Sequence, residues 1–586
     1  MQTFLEKTDQ FIKLFLRVLA GGMLLYLLLL SMFSTSGVEL RNFSGTLEED
    51  LSSYNYYLTD SWQVCLIVLT VTATVAWLAR RRLHVAFWEG LEKYRWLLYL
   101  LFLTAGLLFI GFTRLRPVSD SGKVLEIAEG MVAGDFTQFM PNDGYLWRCP
   151  HQLGIVFLCW CLTIIFGQWN YLAFQVLNLL LLIWGLELAG SMAGLLWPEN
   201  GARIRWSIRL VYVLFVPYFL YVTFIYGTIP AFIFSLAAMY MELRFIREKR
   251  WSFGVSAAIF IALAIVVKPN SRIMLVAMLI FLIYDLVMEK KKLRTFAVIV
   301  MAVFLQAVCM QGVDSFMSWK SGYPVSGGQA MLGYVAMGLQ ESRFGPGAYN
   351  GHGVSLYEEA GYDTAGATRL AWQSIQDSLE RFSDDKSEAV RWLGRKIASQ
   401  WNEPAFGSIE VNRGREGAVK LPAFLDSIIN GAVGYGILLY LNYFQSVILA
   451  GGVLYFLLAD RKKSRDWLLL IVTVIGGFIF HIFWEAKSQY VFPYFLLIFP
   501  YSVRGWEELA GRMEGLFGKL KNGQKISMKK AAICAGATVA CIALMAVSYH
   551  TRVFQYMIAV QDEPALQEEY WQAVEEKCGV YNREQN

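Results

Sequence analysis

Charged residues are scarce in this chain of 586 residues. Asp, Glu, Lys and Arg make up 17% of it, against about 25% in ordinary soluble proteins. Hydrophobic residues make up 56% and the mean hydropathy is +0.42, so too little polar surface exists to cover the roughly four soluble domains that the length alone would allow. The composition therefore excludes a soluble multidomain protein and indicates a membrane protein.

Three further absences narrow the function. The net charge is only +5, so no nucleic-acid partner is expected. The eight cysteines have no zinc-like spacing. Neither a GxxxxGK[ST] pattern nor a GxGxxG pattern after a strand is present, which argues against an ATP-driven pump.

Long apolar runs dominate what is present. A crossing helix needs about 20 apolar residues, and on this criterion we predict an all-α polytopic membrane protein with about 13 spans. The predicted spans are 11–33, 61–79, 95–113, 169–197, 206–227, 229–246, 252–268, 271–288, 295–313, 430–459, 466–484, 489–503 and 530–549. The run 153–166 is short for a crossing, so we predict a juxtamembrane or re-entrant helix; 14 spans with reversed sidedness is the alternative.

Clusters of Lys and Arg set the predicted orientation. They follow every second predicted span, and such clusters stay on the cytoplasmic side. We therefore expect a multi-pass plasma-membrane protein with a cytoplasmic N-terminus and an extracytoplasmic C-terminus. The predicted parts are two N-terminal spans (1–94), a membrane module (95–313) with an outer loop (114–168), a mainly helical outer segment (314–429), C-terminal spans (430–549) and an outer tail (550–586). Cys149 and Cys578 are the two cysteines placed outside, which allows a disulfide.

Polar side chains concentrate at the outer ends of these spans. Asp120 follows the third span and precedes an amphipathic stretch, 121–133, predicted to be a surface helix; the alternative interpretation of Asp120 is a helix N-cap. The next segment is rich in turn and aromatic residues and carries Tyr145, Arg148, His151 and Gln152; its alternative is an interfacial anchor.

Two tight outer turns complete the set. The first joins Lys268, Asn270 and Arg272, and its alternative interpretation is a lysine that only snorkels to the interface. The second turn follows His481 and contains Glu485, Lys487 and Tyr490. His481 and Glu485 are four residues apart, which predicts one shared helix face. Here the alternative is a Glu485–Lys487 ion pair that only holds the turn. Acids, cations and aromatic rings at one boundary suit a substrate with a lipid tail, a phosphate and a polar head.

The order of these segments resembles the polytopic GT-C glycosyltransferases. The closest resemblance is to bacterial, Gram-positive members of glycosyltransferase family 39, of the protein mannosyltransferase and aminoarabinose transferase type. The matching segments are RPVSD ending at Asp120, IAEGMVAG from Ile127, YLWRCPHQLG from Tyr145, the turn Lys268-Pro269 and the turn from Glu485 to Tyr490. The resemblance covers about 95–505. Two extra N-terminal spans and a single acid in place of an Asp-Glu pair depart from the family, which puts a protein acceptor and a metal in doubt.

The resemblance implies an inverting transfer of a hexosyl or pentosyl group from a polyprenyl-phosphate sugar to a glycan, lipid or protein acceptor, at the outer face of the membrane. Asp120 would be the base. Lys268, Arg272 and Arg148 would hold the phosphate, and the remaining site residues would bind substrate. No cofactor is certain, and a divalent metal is left open. Two other classes stay open: a flippase for a polyprenyl-linked glycan, and a polysaccharide polymerase or ligase that would use outer arginines such as Arg343, Arg391 and Arg395.

Overall fold

The computed structural model describes residues 2–42, 51–168, 171–288, 292–342, 344–413, 420–459 and 465–521, and the chain in these ranges is mostly α-helical. The N-terminal part contains α1 (Gln2–Phe33), β1 (Ser34–Asn42), β2 (Leu51–Thr59), α2 (Trp62–Arg82), α3 (Val85–Lys93), α4 (Arg95–Thr113), α5 (Ser119–Val132), α6 (Tyr145–Arg148) and α7 (Leu153–Phe166). The middle contains α8 (Tyr171–Leu196), α9 (Gly201–Leu214), α10 (Val216–Leu220), α11 (Thr228–Glu248), α12 (Trp251–Val267), α13 (Arg272–Met288) and α14 (Lys292–Ser321). The outer segment and the last helices are α15 (Met331–Gly338), α16 (His352–Glu359), α17 (Thr364–Asp384), α18 (Lys386–Trp401), α19 (Ala423–Ile429), α20 (Ala432–Leu458), α21 (Leu468–Phe483), α22 (Ser488–Leu496) and α23 (Phe499–Lys521).

Eight of the described helices are long and apolar enough to cross a membrane, which confirms a helical multi-pass membrane protein. The count of 13 spans is not confirmed. One predicted span is bent by 68° between α9 and α10, where Pro217 in the first turn of α10 cannot continue the preceding helix. Two others, α12 and α21, have only 17 and 16 residues. The predicted span 530–549 and the tail 550–586 lie outside the described residues.

The bundle has two chemically distinct ends. At one end, the basic clusters that follow different helices meet shared carboxylates: Glu507 pairs with both Arg80 and Arg203, and Glu92 with both Arg205 and Arg209. Helix α4 begins beside this end, at Arg95, and α12 begins there as well, directly after Arg250. The loops after both helices, which carry Asp120 and Lys268, therefore lie at the opposite end.

Helix α7 is the run of uncertain sidedness. Its 14 residues span about 21 Å, less than the roughly 30 Å of a hydrocarbon core. After α7 the chain returns to the end from which it started, because Gln175 in α8 donates 2.9 Å to the carbonyl of Leu115, just past α4. Such a return is what a juxtamembrane helix requires. The apolar face of α5 packs against α7, and its Val124 and Ala128 are completely buried.

A β-hairpin that the sequence analysis missed lies at the same end. Strands β1 and β2 pair antiparallel, with Ser34 opposite Thr59. The amide of Ser36 donates 3.0 Å to the carbonyl of Asn402, and the hydroxyl of Tyr57 donates 3.2 Å to the carbonyl of Arg395. The hairpin is therefore attached to α18 and the turn after it in the outer segment.

Candidate functional site

All twelve predicted site residues line three adjoining cavities at the end of the bundle that carries Asp120. The largest, of roughly 560 Å³, is lined by Asp120, Tyr145, Arg148 and Lys487, among others; we call it the Asp120 cavity. The second, of roughly 260 Å³, is lined by Lys268, Asn270 and Arg272 and is called the Lys268 cavity. His151, Gln152, Glu485 and Tyr490 line both of these cavities. His481 lines a small third cavity together with Lys268 and Asn270.

Asp120 does not cap a helix. Helix α5 begins one residue earlier, its N-cap is Val118, and no side chain bonds to its first amides. Asp120 lies in the first turn, where the helix dipole favours a negative charge. Its carboxylate is exposed to the cavity and has no hydrogen-bond or ion-pair partner among the described residues. The preceding Ser119 has a φ of +52°, an uncommon conformation for a residue with a side chain and one found often at functional sites.

Lys268 occupies the turn that the sequence predicts. Helix α12 ends at Val267, and the 3₁₀ turn Pro269–Ser271 follows. The ammonium group of Lys268 donates 2.9 Å to the hydroxyl of Thr228 and lies 5.4 Å from the ring centres of both Tyr226 and Tyr490. Burial lowers the pKa of Lys268 to about 7; the charge of Lys487 adds to this shift and that of Glu485 opposes it. Lys268 is therefore a cation held at a partly apolar site.

Glu485 lies beyond the helix that carries His481, so the predicted shared helix face is wrong. Helix α21 ends at Phe483 and Trp484 is extended. The Glu485 side chain is 7% exposed and accepts a 3.4 Å hydrogen bond from the hydroxyl of Tyr490. Burial raises the pKa of Glu485 to about 7; the charge of Lys487 opposes the shift and that of Asp120 adds to it. Lys487 forms no ion pair with Glu485, so the interpretation of this turn as ion-paired is wrong as well.

His481 is the most enclosed of the predicted residues, with 2% of its surface exposed. Its ring stacks on Tyr490 at 6.1 Å between centres, and its Nδ1 atom is buried without a hydrogen-bond partner among the described residues. The carbonyl of His481 accepts a 3.1 Å hydrogen bond from Gln400 of α18. The outer segment thus holds the end of α21 directly.

The residues that line both the Asp120 and the Lys268 cavity form the boundary between them, and we call them the neck residues: His151, Gln152, Tyr226, Tyr334, Glu485 and Tyr490. Gln152 donates to the hydroxyl of Tyr226, and the ring of His151 lies edge-on to Tyr334 at 5.9 Å. Tyr334 in turn stacks on Trp484 at 5.2 Å. The sequence analysis missed these three aromatic residues. Tyr226 was assigned to the end of a span, and Tyr334 lies in the outer segment, so only the fold brings either to the site.

Carboxylates line the cavities beside the cations: Asp314 and Glu485 line the Lys268 cavity, and Asp120, Glu410 and Glu485 line the Asp120 cavity. Three of the cations nevertheless form no direct ion pair within the ranges that the structure describes. Arg148, Arg272 and Lys487 have no side-chain hydrogen bond or ion pair among the described residues. The outer arginines considered for a polymerase differ: Arg395 pairs with Glu341 at 3.1 Å and Arg391 donates to Ser387, while Arg343 lies outside the described residues. The site therefore carries positive charge that is available to an anionic ligand.

Possible metal ligands and the cysteine beside the site complete its description. The described ranges hold no group of three or more His, Cys, Asp or Glu side chains that could bind a metal, so we assign no metal ligands. Cys149 lines the Asp120 cavity and forms no disulfide within the described ranges, and burial raises the pKa of its thiol to about 12. Its predicted partner, Cys578, lies outside the described residues.

The fold and the site define a helical multi-pass membrane protein with a polar double cavity, lined by both cations and carboxylates, at one end of its bundle. No protein-family model and no curated protein sequence matches the chain. Similar solved structures include the archaeal oligosaccharyltransferase AglB from Archaeoglobus fulgidus in complex with an inhibitory peptide and a dolichol-phosphate, with 12% identity, a TM-score of 0.37 and coverage of 83% of this chain and 60% of that one.

A second structure, the apo form of the oligosaccharyltransferase of the same organism, shows 12% identity and a TM-score of 0.32 over 87% of this chain and 59% of that one. The chain thus spans about three fifths of the length of these proteins. Likeness at these scores does not define an activity, and the function is argued from the site.

Proposed function

We propose that this protein is a GT-C-type membrane glycosyltransferase that moves a sugar from a polyprenyl-phosphate donor to an acceptor hydroxyl with inversion at the sugar. One observation carries the proposal: the carboxylate of Asp120, unpaired within the described ranges, faces one cavity, and the cations Lys268 and Arg272 face an adjoining cavity that shares lining residues with it. A reaction that removes a proton from an acceptor and releases a phosphate needs a carboxylate base and cations within one site, and the two cavities supply both.

The chemistry follows from the carboxylate of Asp120 and the cations Lys268 and Arg272. Asp120 takes the proton from the acceptor hydroxyl as its oxygen bonds to the anomeric carbon. The bond between that carbon and the lipid phosphate breaks at the same time, and the phosphate leaves with the electron pair. Lys268 and Arg272 hold the charge that develops on the phosphate, a task that suits charge-assisted contacts in an enclosed site.

The remaining residues are assigned by cavity. Arg148, Lys487 and Tyr145 line the Asp120 cavity, so we assign them to binding the acceptor and the sugar. Arg148 is therefore no longer assigned to the phosphate. Asn270 shares the Lys268 cavity and is assigned to the donor. His481 and four of the neck residues would orient the sugar between the two cavities. The four neck residues are His151, Gln152, Glu485 and Tyr490.

The position of the site supports a lipid-borne donor. Both cavities lie where α4 and α12 end, on the side of the bundle away from the basic clusters, which we assign to the outer face of the membrane. The lipid tail would remain in the bilayer while the phosphate enters the Lys268 cavity. The product would then form outside the cell, on a glycan, lipid or protein.

The test is transfer from a lipid donor by purified protein. Proteoliposomes would receive a set of polyprenyl-phosphate monosaccharides labelled in the sugar, together with an acceptor extract from membranes of cells that lack the gene. We expect label to move from the lipid to a lipid-free or differently anchored product. Movement of intact donor across the bilayer without transfer would instead identify a flippase. Activity only with diphosphate-linked oligosaccharides would identify a polymerase or ligase.

A further inference from the structure

The β-hairpin belongs to the part of the chain that departs from the resembled family. It connects α1 to α2, the two extra N-terminal helices, with Ser34 following α1 directly and Thr59 ending two residues before the N-cap of α2. A hairpin of nine-residue strands is longer than a simple connection between two neighbouring helices needs. The length of the hairpin therefore indicates a role beyond connecting the two helices.

Both strands of the hairpin are fixed to the outer segment. The backbone carbonyl of Asn402 accepts a hydrogen bond from the backbone amide of Ser36. The side-chain amide of Asn402 donates a hydrogen bond of 2.7 Å to the backbone carbonyl of Ser34. From the other strand, Tyr57 donates to the carbonyl of Arg395. These bonds hold the hairpin as one wall of the space enclosed by the outer segment.

Asn55, near the middle of β2, lines the Asp120 cavity. Its backbone amide and its side-chain nitrogen both donate to the carbonyl of Phe344, at 3.2 and 2.7 Å. The following Gly345 has a φ of +128°, and a Cβ atom there would lie 2.7 Å from the Asn55 side-chain nitrogen. The chain at 344–345 is thus shaped to receive Asn55 closely.

This arrangement leaves one atom of Asn55 for a ligand. The side-chain nitrogen is held by Phe344, which fixes the orientation of the amide. The side-chain oxygen has no hydrogen-bond partner among the described residues, and it belongs to a side chain on the wall of the cavity. An amide oxygen fixed in this way accepts hydrogen bonds from hydroxyl or N–H groups.

We propose that Asn55 is a specificity-determining residue that accepts a hydrogen bond, through its side-chain oxygen, from a hydroxyl or amide group of the acceptor bound in the Asp120 cavity. The inference rests on the proposed function, which places the acceptor in that cavity. It gives the N-terminal pair of helices a role in the choice of acceptor. The donor phosphate is assigned to the Lys268 cavity, which Asn55 does not line.

The kinetic test compares Asn55→Ala with Tyr57→Phe. Both variants remove one side-chain hydrogen bond from the hairpin to a carbonyl of the outer segment, but Tyr57 does not line the cavity. With the acceptor extract described above, we expect Asn55→Ala to raise the apparent acceptor KM roughly 3- to 10-fold, the range for one lost hydrogen bond. The donor KM stays unchanged, and Tyr57→Phe keeps both values. Equal effects of the two variants, or a raised donor KM, would overturn the proposal.

A second measurement does not depend on turnover. Asn55→Cys and Asn270→Cys would be treated with a small thiol reagent, and modification at each position would be read by mass spectrometry of its peptide. We expect the acceptor extract to protect position 55 and the polyprenyl-phosphate sugar to protect position 270. The role of Asn55 is contradicted if the donor alone protects position 55, or if the acceptor extract does not protect it. Protection by the extract in a protein that transfers no sugar would instead reject the proposed function and keep the hairpin as a ligand wall.

Discussion

Within the part of the chain that the structure describes, the carboxylate of Asp120 has no hydrogen-bond or ion-pair partner, and neither do three cations of the same site. A structural acid at a helix start would be expected to bond the first amides, and Asp120 does not. We predict that Asp120→Asn lowers the transfer rate by ~10²- to 10⁴-fold, the usual contribution of a positioned base. The measurement is the initial rate of sugar transfer in proteoliposomes, with donor binding measured separately.

The matched control for this change is Asp143→Asn. Asp143 lies in the same outer loop, is exposed and lines none of the three cavities, so its loss of charge should leave transfer within a factor of two or so, as is usual for surface substitutions. Full activity of Asp120→Asn, or an equal loss in both variants, would reject Asp120 as the base.

The charge of Lys268 predicts a pH dependence. Its pKa is about 7, so the cation that would hold the phosphate is present below that pH and is lost as the pH rises through it. We therefore expect kcat/KM to fall on the alkaline side of about pH 7. Glu485 raises the pKa of Lys268 and Lys487 lowers it, so Glu485→Gln should move this alkaline limb to lower pH and Lys487→Met should move it to higher pH. If both variants moved the alkaline limb in the same direction, a group other than Lys268 would be responsible for it.

Candidate site residues could be selected from the sequence because ionisable groups are costly near a bilayer and stand out in a chain with so few charges. Asp120, Lys268 and Glu485 were found in this way, and the fold places them in adjoining cavities. Tyr226 and Tyr334 were not found, because aromatic residues are abundant in this sequence and only tertiary contacts distinguish these two.

Among the helices and turns, predictions succeeded where local chemistry decides the geometry. Pro269 fixes the turn after α12, and the apolar spacing of 121–133 produces α5. The prediction that His481 and Glu485 share a helix face was wrong because spacing alone does not show where a helix ends. The hairpin was missed because its position depends on Phe344, Arg395 and Asn402, which lie hundreds of residues later.

The close contact between α7 and α12 predicts how an added methyl group would affect the stability of the protein. A Cβ atom on Gly154 of α7 would lie 1.6 Å from the carbonyl oxygen of Val266, next to the Lys268 turn. We expect Gly154→Ala to force these helices apart and to destabilise the protein by about 1–3 kcal/mol, as overpacking does. Thermal denaturation in detergent would show a lower midpoint, and transfer would fall with it because the turn shifts.

Gly111→Ala in α4 is the matched control. Gly111 is also a helical glycine, but no atom lies within 4 Å of the added Cβ atom. Alanine is the better helix former, so this variant should keep or slightly raise the midpoint. A midpoint for Gly154→Ala equal to that of the unaltered protein would mean that α7 does not pack this closely on α12.

At the scale of the whole molecule, the sequence predicts the membrane class from composition but not the number of crossings. Length and hydropathy are the signals for a span, and here they are weakened by breaks within the bundle. Pro217 bends one predicted crossing, and another is divided between α22 and α23. Such breaks occur where backbone lines a cavity or packs inside protein, which local composition does not reveal.

The two chemically distinct ends of the bundle lead to the last prediction, which concerns sidedness. Glu89 in α3 is exposed near the ion-paired end, whereas Asn142 and Glu359 are exposed near the cavities. Because basic clusters stay in the cytoplasm, an impermeant maleimide should label Asn142→Cys and Glu359→Cys on intact cells and Glu89→Cys only after permeabilisation. The unaltered protein supplies the background from its own cysteines. The reverse pattern would place the cavities in the cytoplasm. Labelling of Asn142→Cys and Glu359→Cys from opposite sides would mean that α7 crosses the membrane, in conflict with the hydrogen bond that returns Gln175 to Leu115.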